Sequence, residues 1–159
     1  MEFPAKVDLW FLAVFYGGGA AMLLTAPLVW KKTRGTRLKR GALGASLQAV
    51  IGVLFVAVAW QASAVRYVLS ADGYLDAHGG WPLSGRIASI ASITRVEPSR
   101  DGRASHAASL DRLRIDYGRS RVVFIAVHDK PGFLDALAAR DPDLLRTETG
   151  IRRNVEPSP

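Results

Sequence analysis

Two long runs of apolar residues lie within the first 65 positions, and neither contains a charged side chain. They cover Leu9–Trp30 and Gly41–Val65, each long enough at about 1.5 Å per residue to cross a hydrocarbon core of roughly 30 Å. The pattern predicts transmembrane helices at residues 9–30 and 41–65. A loop at 31–40 joins them, and a short segment at 1–8 precedes them. A cleaved signal peptide is disfavoured because the first run is too long and residues 1–8 lack an excess of positive charge.

Small residues recur on one face of each predicted helix. They are Gly17 and Ala21 in the first run, and Gly41, Ala45 and Ala49 in the second. Small residues at this spacing let helix backbones approach closely within a bilayer. Because the connecting loop is short, we interpret them as the contact within an antiparallel hairpin, and a dimerisation face is the alternative.

Beyond Val65 the apolar positions alternate with polar ones in short runs separated by turn residues, which is typical of an antiparallel sheet. Residues 66–70 and 74–77 predict a hairpin around Ala71-Asp72-Gly73. A third run covers 81–84, and apolar residues from Ile87 to Val96 predict a helical turn leading into a strand. Residues 99–108 are polar and predict a loop.

The clearest predicted hairpin pairs residues 110–117 with 122–127 across Gly118-Arg119-Ser120. Asp129 then predicts an N-cap before Pro131 and a helix that ends near residues 140–142. Residues 66–146 are expected to fold alone, with 147–159 as a disordered tail. The predicted core consists of Trp81, Leu113, Ile115, Phe124 and Phe133.

The net charge of +7 is unevenly distributed. Residues 1–65 carry seven Lys/Arg against two Asp/Glu, whereas residues 66–159 carry fourteen against twelve, so a nucleic-acid-binding domain is not expected. Short loops rich in Lys and Arg are retained in the cytoplasm, which places loop 31–40 inside and both termini outside. The basic side chains of this loop are also expected to contact anionic lipids: Lys31, Lys32, Arg34, Arg37, Lys39 and Arg40.

Several segments resemble the bacterial PH-like domain family that includes the YyaB-like proteins, whose members often carry a membrane hairpin. The matching stretches are residues 3–10, Arg66-Tyr67, Ile93–Pro98, Ser109–Gly118 and Phe133–Leu137. The resemblance implies an α+β chain in which the transmembrane hairpin precedes a PH-like bent antiparallel sheet or partial barrel capped by a C-terminal helix. It departs from the family at Ala126-Val127-His128, where a Ser-Pro pair is common. The family brings no activity that can be transferred residue by residue.

Little in the sequence points to catalysis, and no cofactor is expected. His78, His106 and His128 lack the spacing of a metal site, and the chain has no cysteine. Ser105, His106, Ser109 and Asp111 invite comparison with a hydrolase, but no nucleophile elbow accompanies them. We therefore expect a non-enzymatic protein.

The candidate functional residues are one aspartate and a set of four arginines. Strand alternation places Asp111 with Leu113 and Ile115 on the inner face, where its carboxylate is expected to cap backbone N–H groups of the preceding loop. The alternation also predicts a shared outer face that could bind an anionic ligand or a lipid headgroup. Its residues are Arg95, Arg112, Arg114 and Arg121.

These patterns favour a membrane-anchored, non-catalytic interaction module that binds a protein partner or stabilises a membrane assembly, a second copy of the chain being one candidate partner. The alternative is an envelope sensor that binds a lipid headgroup or a small anion. The PH-like resemblance favours a cytoplasmic domain. Because six basic residues lie within positions 31–40, we expect the domain outside the cytoplasmic membrane.

Overall fold

The structure, a computed structural model, describes residues 1–33, 38–79, 84–101 and 108–154. The chain forms two compact units. One is the helical unit Asp8–Gln61. The other combines Met1–Val7 with Ala62–Pro159 and holds the described strands, so the helical unit is inserted into the chain of the sheet-containing unit.

The helical unit contains two helices long and apolar enough to span a membrane. The first runs through α1 (Leu9–Leu12), a π-helical turn (Ala13–Gly17) and α2 (Gly18–Thr33), and the second is α3 (Leu38–Ser63). Only 11% and 17% of their apolar windows are buried within the protein. A core helix of a soluble protein would be mostly buried, so these exposed apolar surfaces suggest membrane association.

The two helices cross where Gly19 faces Gly52. A Cβ atom added to Gly19 would lie 2.8 Å from the carbonyl oxygen of Gly52, so both positions must remain glycine for this approach. Gln48 Nε2 donates to Met22 O at 3.1 Å, which adds a polar contact nearby. The expectation of a packed hairpin is met, but a Cβ atom added to Gly17 would have no neighbour within 4 Å, and the glycine contact lies at Gly19 instead.

The first sheet has the order β1-β2-β3-β4, with all neighbours antiparallel. Its strands are β1 (Glu2–Pro4), β2 (Arg66–Leu69), β3 (Tyr74–His78) and β4 (Gly85–Ser89). The predicted β2–β3 hairpin is confirmed, and Gly73 takes the positive φ of +79° that its turn requires. Residues 81–83, including Trp81 of the predicted core, lie outside the described part of the chain.

Strand β1 shows that the short N-terminal segment predicted at residues 1–8 contributes a strand to the first sheet. Phe3 pairs with Tyr67, and Glu2 pairs with Val68. Phe3 is buried and meets the ring of Phe133 edge-on, with 5.3 Å between the centroids. Burial of this one aromatic side chain explains why a three-residue segment before the helices joins the sheet after them.

The second sheet has the order β7-β6-β5-β9-β8. A 3-10 turn (Ile90–Ser92) leads from β4 into this sheet, whose strands in chain order are β5 (Ile93–Ser99), β6 (Arg112–Tyr117), β7 (Arg121–Ile125), β8 (Leu144–Arg146) and β9 (Ile151–Arg153). The β6–β7 hairpin is confirmed, with Leu113 opposite Ile125.

Strand β9 corrects the prediction of a disordered tail from residue 147. It pairs with both β5 and β8, and Ile151 is fully buried. Arg153 fixes the strand end by donating from Nε to Ile93 O at 2.8 Å and from Nη2 to Asp141 Oδ2 at 2.8 Å. Residues 155–159 of the predicted tail lie outside the described residues. The fragment 66–146, which is predicted to fold alone, would lack β1 and β9, and its independent folding stays a prediction.

The two sheets enclose one core, which helix α4 (Lys130–Ala138) covers. Asp129 caps α4 as predicted, accepting from Gly132 N at 3.0 Å. The core joins apolar residues of both sheets to Phe133, Leu134 and Leu137 of the helix. Phe124 is buried but lies in register with Arg114, on the opposite face of the sheet from Leu113. Its predicted burial is correct, but it does not belong to this core.

Candidate functional site

The four arginines proposed for a shared binding face have different environments. Arg95 forms an ion pair with Glu97, and Arg114 Nε lies 2.8 Å from Asp116 Oδ1. Because both arginines are exposed and face a neighbouring carboxylate, part of the positive charge of this sheet surface is offset. Strand alternation alone predicted a positive outer face here, and the two carboxylates offset that charge.

Arg112 is buried, with only 7% of its surface exposed. Its Nε donates to Ser109 O, and its Nη1 donates to Asp101 O at 3.0 Å. These bonds hold together the described ends of the segment between β5 and β6. The expected solvent-facing role of Arg112 is therefore wrong, since its guanidinium positions the backbone.

Tyr67 is a fully buried polar side chain close to this arrangement. Burial raises the pKa of its hydroxyl to about 12, while a hydrogen bond with the Ala126 backbone and the positive charge of Arg112 act in the opposite direction. The hydroxyl therefore stays protonated at neutral pH.

Asp111 does not cap the preceding loop from an inner face, as the alternation predicted. Its side chain is 53% exposed and lies between two lysines, 2.7 Å from Lys6 Nζ on one side and in contact with Lys130 on the other. The hydrogen bonds from Lys130 and Lys6 hold the pKa of the Asp111 carboxyl below its usual range. Asp111 thus links the segment that enters α1 to the start of α4. The alternation misplaced it because β6 begins only at Arg112.

Arg121 lies apart from the other three, after the β6–β7 turn. It borders a cleft of about 510 Å³ that Arg86 and Arg119 also line. Nothing in the sequence pattern groups these three arginines, because Arg86 belongs to β4 of the first sheet. Only the folded arrangement brings the β4 edge next to the β6–β7 turn.

The basic loop is described only in part. Lys31 and Lys32 are exposed in the last turn of the helix that ends at Thr33. Arg34 and Arg37 lie outside the described residues, and the side chains of Lys39 and Arg40 are not described either. Contact of these six residues with lipid stays a prediction.

The described residues contain no group of three His, Cys, Asp or Glu side chains that could hold a metal ion. His78 and His128 are exposed at separate strand and loop ends, and His106 lies outside the described part. The described surface of the domain offers charged and hydrogen-bonding side chains. Its main features are the Asp111 linkage and the arginine-lined cleft.

Residues 65–141, just under half of the chain, match the family model described as "Bacterial PH domain". The match begins just before β2 and ends beyond α4, so it leaves out β1, β8 and β9. Neither the search of curated proteins nor the search of solved structures found a match to the chain. The two antiparallel sheets with their covering helix, together with this match, support a bacterial PH-like domain in an α+β chain.

Proposed function

We propose that the protein is a membrane-anchored, non-catalytic interaction module whose PH-like domain binds a protein partner or stabilises a membrane assembly. The observation that carries the proposal is the pairing of β1 with β2 around the inserted helices. It ties both ends of an apolar helix pair into one sheet. A domain attached twice to a bilayer would be held close to the membrane surface, where a binding module meets membrane partners.

The fold supports binding more than catalysis. PH-like domains act as interaction modules, and small sheet domains commonly bind through their surfaces and strand edges. We also propose that the domain is most similar to those of the YyaB-like proteins. The alternative, an envelope sensor for a lipid headgroup or small anion, has less support because Arg95 and Arg114 already face carboxylates.

The proposed topology follows from chain connectivity. If both helices span the cell membrane, we expect Met1–Val7 and the PH-like domain, which share the β1–β2 pair, on one side and loop 31–40 on the other. The six basic residues of that loop favour its retention in the cytoplasm. We therefore place the domain outside the cytoplasmic membrane, with the loop in contact with anionic lipids.

Reporter fusions test this topology. Alkaline phosphatase fused after Pro159 should be active and a fluorescent protein fused there dark, with the reverse result at Gly35. Fusion after Pro159 keeps β9 intact, whereas fusion after Arg146 would remove it. A fluorescent C-terminal fusion would show that the domain faces the cytoplasm.

Crosslinking in living cells tests the binding role. A photoreactive amino acid at Val122, which is 43% exposed on β7, should give a discrete adduct with a protein. Matched positions on the described exposed surface, Thr94 and Leu145, complete the scan. Absence of any protein adduct from all three, with lipid adducts only, would contradict a protein-binding module and favour the lipid alternative.

A further inference from the structure

A cleft of about 510 Å³ opens where the β4 edge of the first sheet meets the β6–β7 turn of the second. Three arginines provide its charge: Arg86 on β4, and Arg119 and Arg121 at the turn. The half-buried side chains of Tyr74, Ile87 and Tyr117 provide its apolar lining. We call this site the arginine cleft.

The charge of the cleft is positive, and none of the described residues that line it is acidic. Arg86 stacks on the Tyr74 ring with 3.7 Å to the centroid, and its nearest carboxylates, Asp72 and Asp76, lie 3.7 and 3.6 Å away. In the part of the chain that the structure describes, no acidic side chain lies within ion-pair distance of Arg119 or Arg121. These two guanidinium groups are therefore available for a planar anion such as a carboxylate.

The backbone beside the cleft is also available. Strand β4 is the last strand of its sheet and pairs on one side with β3. Within the described ranges, its other edge has no strand partner. An exposed edge supplies main-chain donors and acceptors to an extended peptide. The register shifts between Leu75, which pairs with Ala88, and Asp76, which pairs with Arg86, so Ile87 lies in a bulge of β4.

We propose that the arginine cleft binds an extended, acidic segment of a partner protein. Its carboxylates would meet Arg119 and Arg121, and its apolar side chains would pack against Ile87 and the two tyrosines. This inference rests on the proposed function and specifies the chemistry of the partner. A peptide is favoured over a phosphate group because it uses the strand edge and the apolar lining as well as the charge.

The test uses the full-length protein in nanodiscs of zwitterionic lipid. The probe is a fluorescein-labelled eight-residue peptide of alternating Glu and Val, and fluorescence anisotropy measures its binding. We expect binding that weakens as salt increases and that falls at least about tenfold in the R119A/R121A variant, the effect of losing about 1.4 kcal/mol. The control variant R100A/R152A removes the same charge outside the cleft and should bind within about twofold of the unchanged protein.

Charge reversal strengthens the test. R119E/R121E should lose the Glu–Val peptide and gain binding of a Lys–Val peptide, while its circular dichroism stays unchanged because both positions are exposed. Equal loss in R100A/R152A, or no binding of the acidic peptide, would overturn the proposal. So would arginine-dependent binding of inorganic phosphate or of phosphatidylserine nanodiscs without binding of the peptide.

The proposed function can fail independently of the cleft. If the protein adducts formed in cells persist unchanged in R119E/R121E, the interaction module stands and the arginine cleft is not its binding site. If the acidic peptide binds at the cleft but no protein adduct forms in cells, the site is correct in chemistry and the proposed cellular role is not.

Discussion

The backbone N–H of Ala5, ahead of the first apolar helix, donates to the carbonyl oxygen of Val65, beyond the second, at 3.0 Å. This bond continues the β1–β2 pairing up to the point where the chain leaves and re-enters the domain. Ala5 also forms a bridge with Val127, after β7. The segment before the helices therefore connects the two sheets. The PH-like domain is complete only when this segment and the chain that follows the helices pair with each other.

Phe3 should stabilise the domain although it lies before the helices. Its buried ring contacts Phe133, so F3A should reduce the free energy of unfolding by about 3–5 kcal/mol through lost burial and a cavity. V122A removes a partly exposed side chain from β7 and should cost less than about 1 kcal/mol. Urea denaturation of the full chain in micelles, followed by circular dichroism, measures both. Similar small losses would show that β1 is not part of the folded core.

Arg153 should stabilise the domain, whereas its neighbour Arg152 should not. Arg153 binds two backbone carbonyls and Asp141 with 17% of its side chain exposed, while the side chain of Arg152 is 67% exposed. R153A should cost about 2–3 kcal/mol because it leaves partly buried acceptors without a donor. R152A, the matched control, should cost under about 1 kcal/mol. Equal effects in the same denaturation assay would mean that β9 is not fixed as described.

Asp111 should give a small stabilisation that depends on pH. Because Lys130 and Lys6 lower the pKa of its carboxyl, the contribution is complete above the unfolded value of about 3.9 and disappears as the pH falls through the lower folded value. The difference between the wild-type chain and D111N should be under about 1 kcal/mol at pH 7, since the pair is exposed. Denaturation at pH 7, 5 and 3 should show the two proteins converging only at the acid end. A difference that grows below pH 4 would contradict the assignment.

Gly52 should control the approach of the two apolar helices. A side chain at this position would meet the backbone of Gly19 at 3.0 Å, whereas one at Gly44 meets nothing within 4 Å. In the cysteine-free chain, cysteines replacing Phe15 and Phe55, whose rings lie 5.1 Å apart, should react together with a short bismaleimide. Addition of G52L should lower this crosslinking several-fold, and G44L should not. Equal yields in the two variants would show that the helices do not cross at Gly52.

Local patterns predicted most of the architecture. The two apolar runs, the β2–β3 and β6–β7 hairpins, and the Asp129-capped helix all depend on residues close together in sequence. Strands β1, β8 and β9 were missed because each has three residues and a single buried apolar side chain, Phe3, Leu144 or Ile151. Periodicity cannot identify a strand of that length, and β1 and β9 each pair with a strand that lies far away in the chain.

The candidate site was less predictable than the fold. Alternation placed Arg112 on an outer face, but its guanidinium is covered and bonded to the carbonyl oxygens of Ser109 and Asp101. The alternation of side chains along a strand does not tell whether a neighbouring segment covers one of its faces. The arginine cleft likewise joins Arg86 to Arg119 and Arg121 from different sheets, and this proximity arises only on folding.

The central claim is that the helix pair is an insertion between β1 and β2 of one domain. Because Ala5 and Val65 are hydrogen-bonded neighbours, a loop of about four Gly and Ser residues can replace Asp8–Gln61 and join Val7 to Ala62. The measurement is urea denaturation of this shortened protein without detergent, beside a fragment that begins at Ala62 and lacks β1. We expect a soluble protein that unfolds cooperatively, and a fragment that is at least about 3 kcal/mol less stable or fails to fold. Equal stability of the two proteins would contradict the claim.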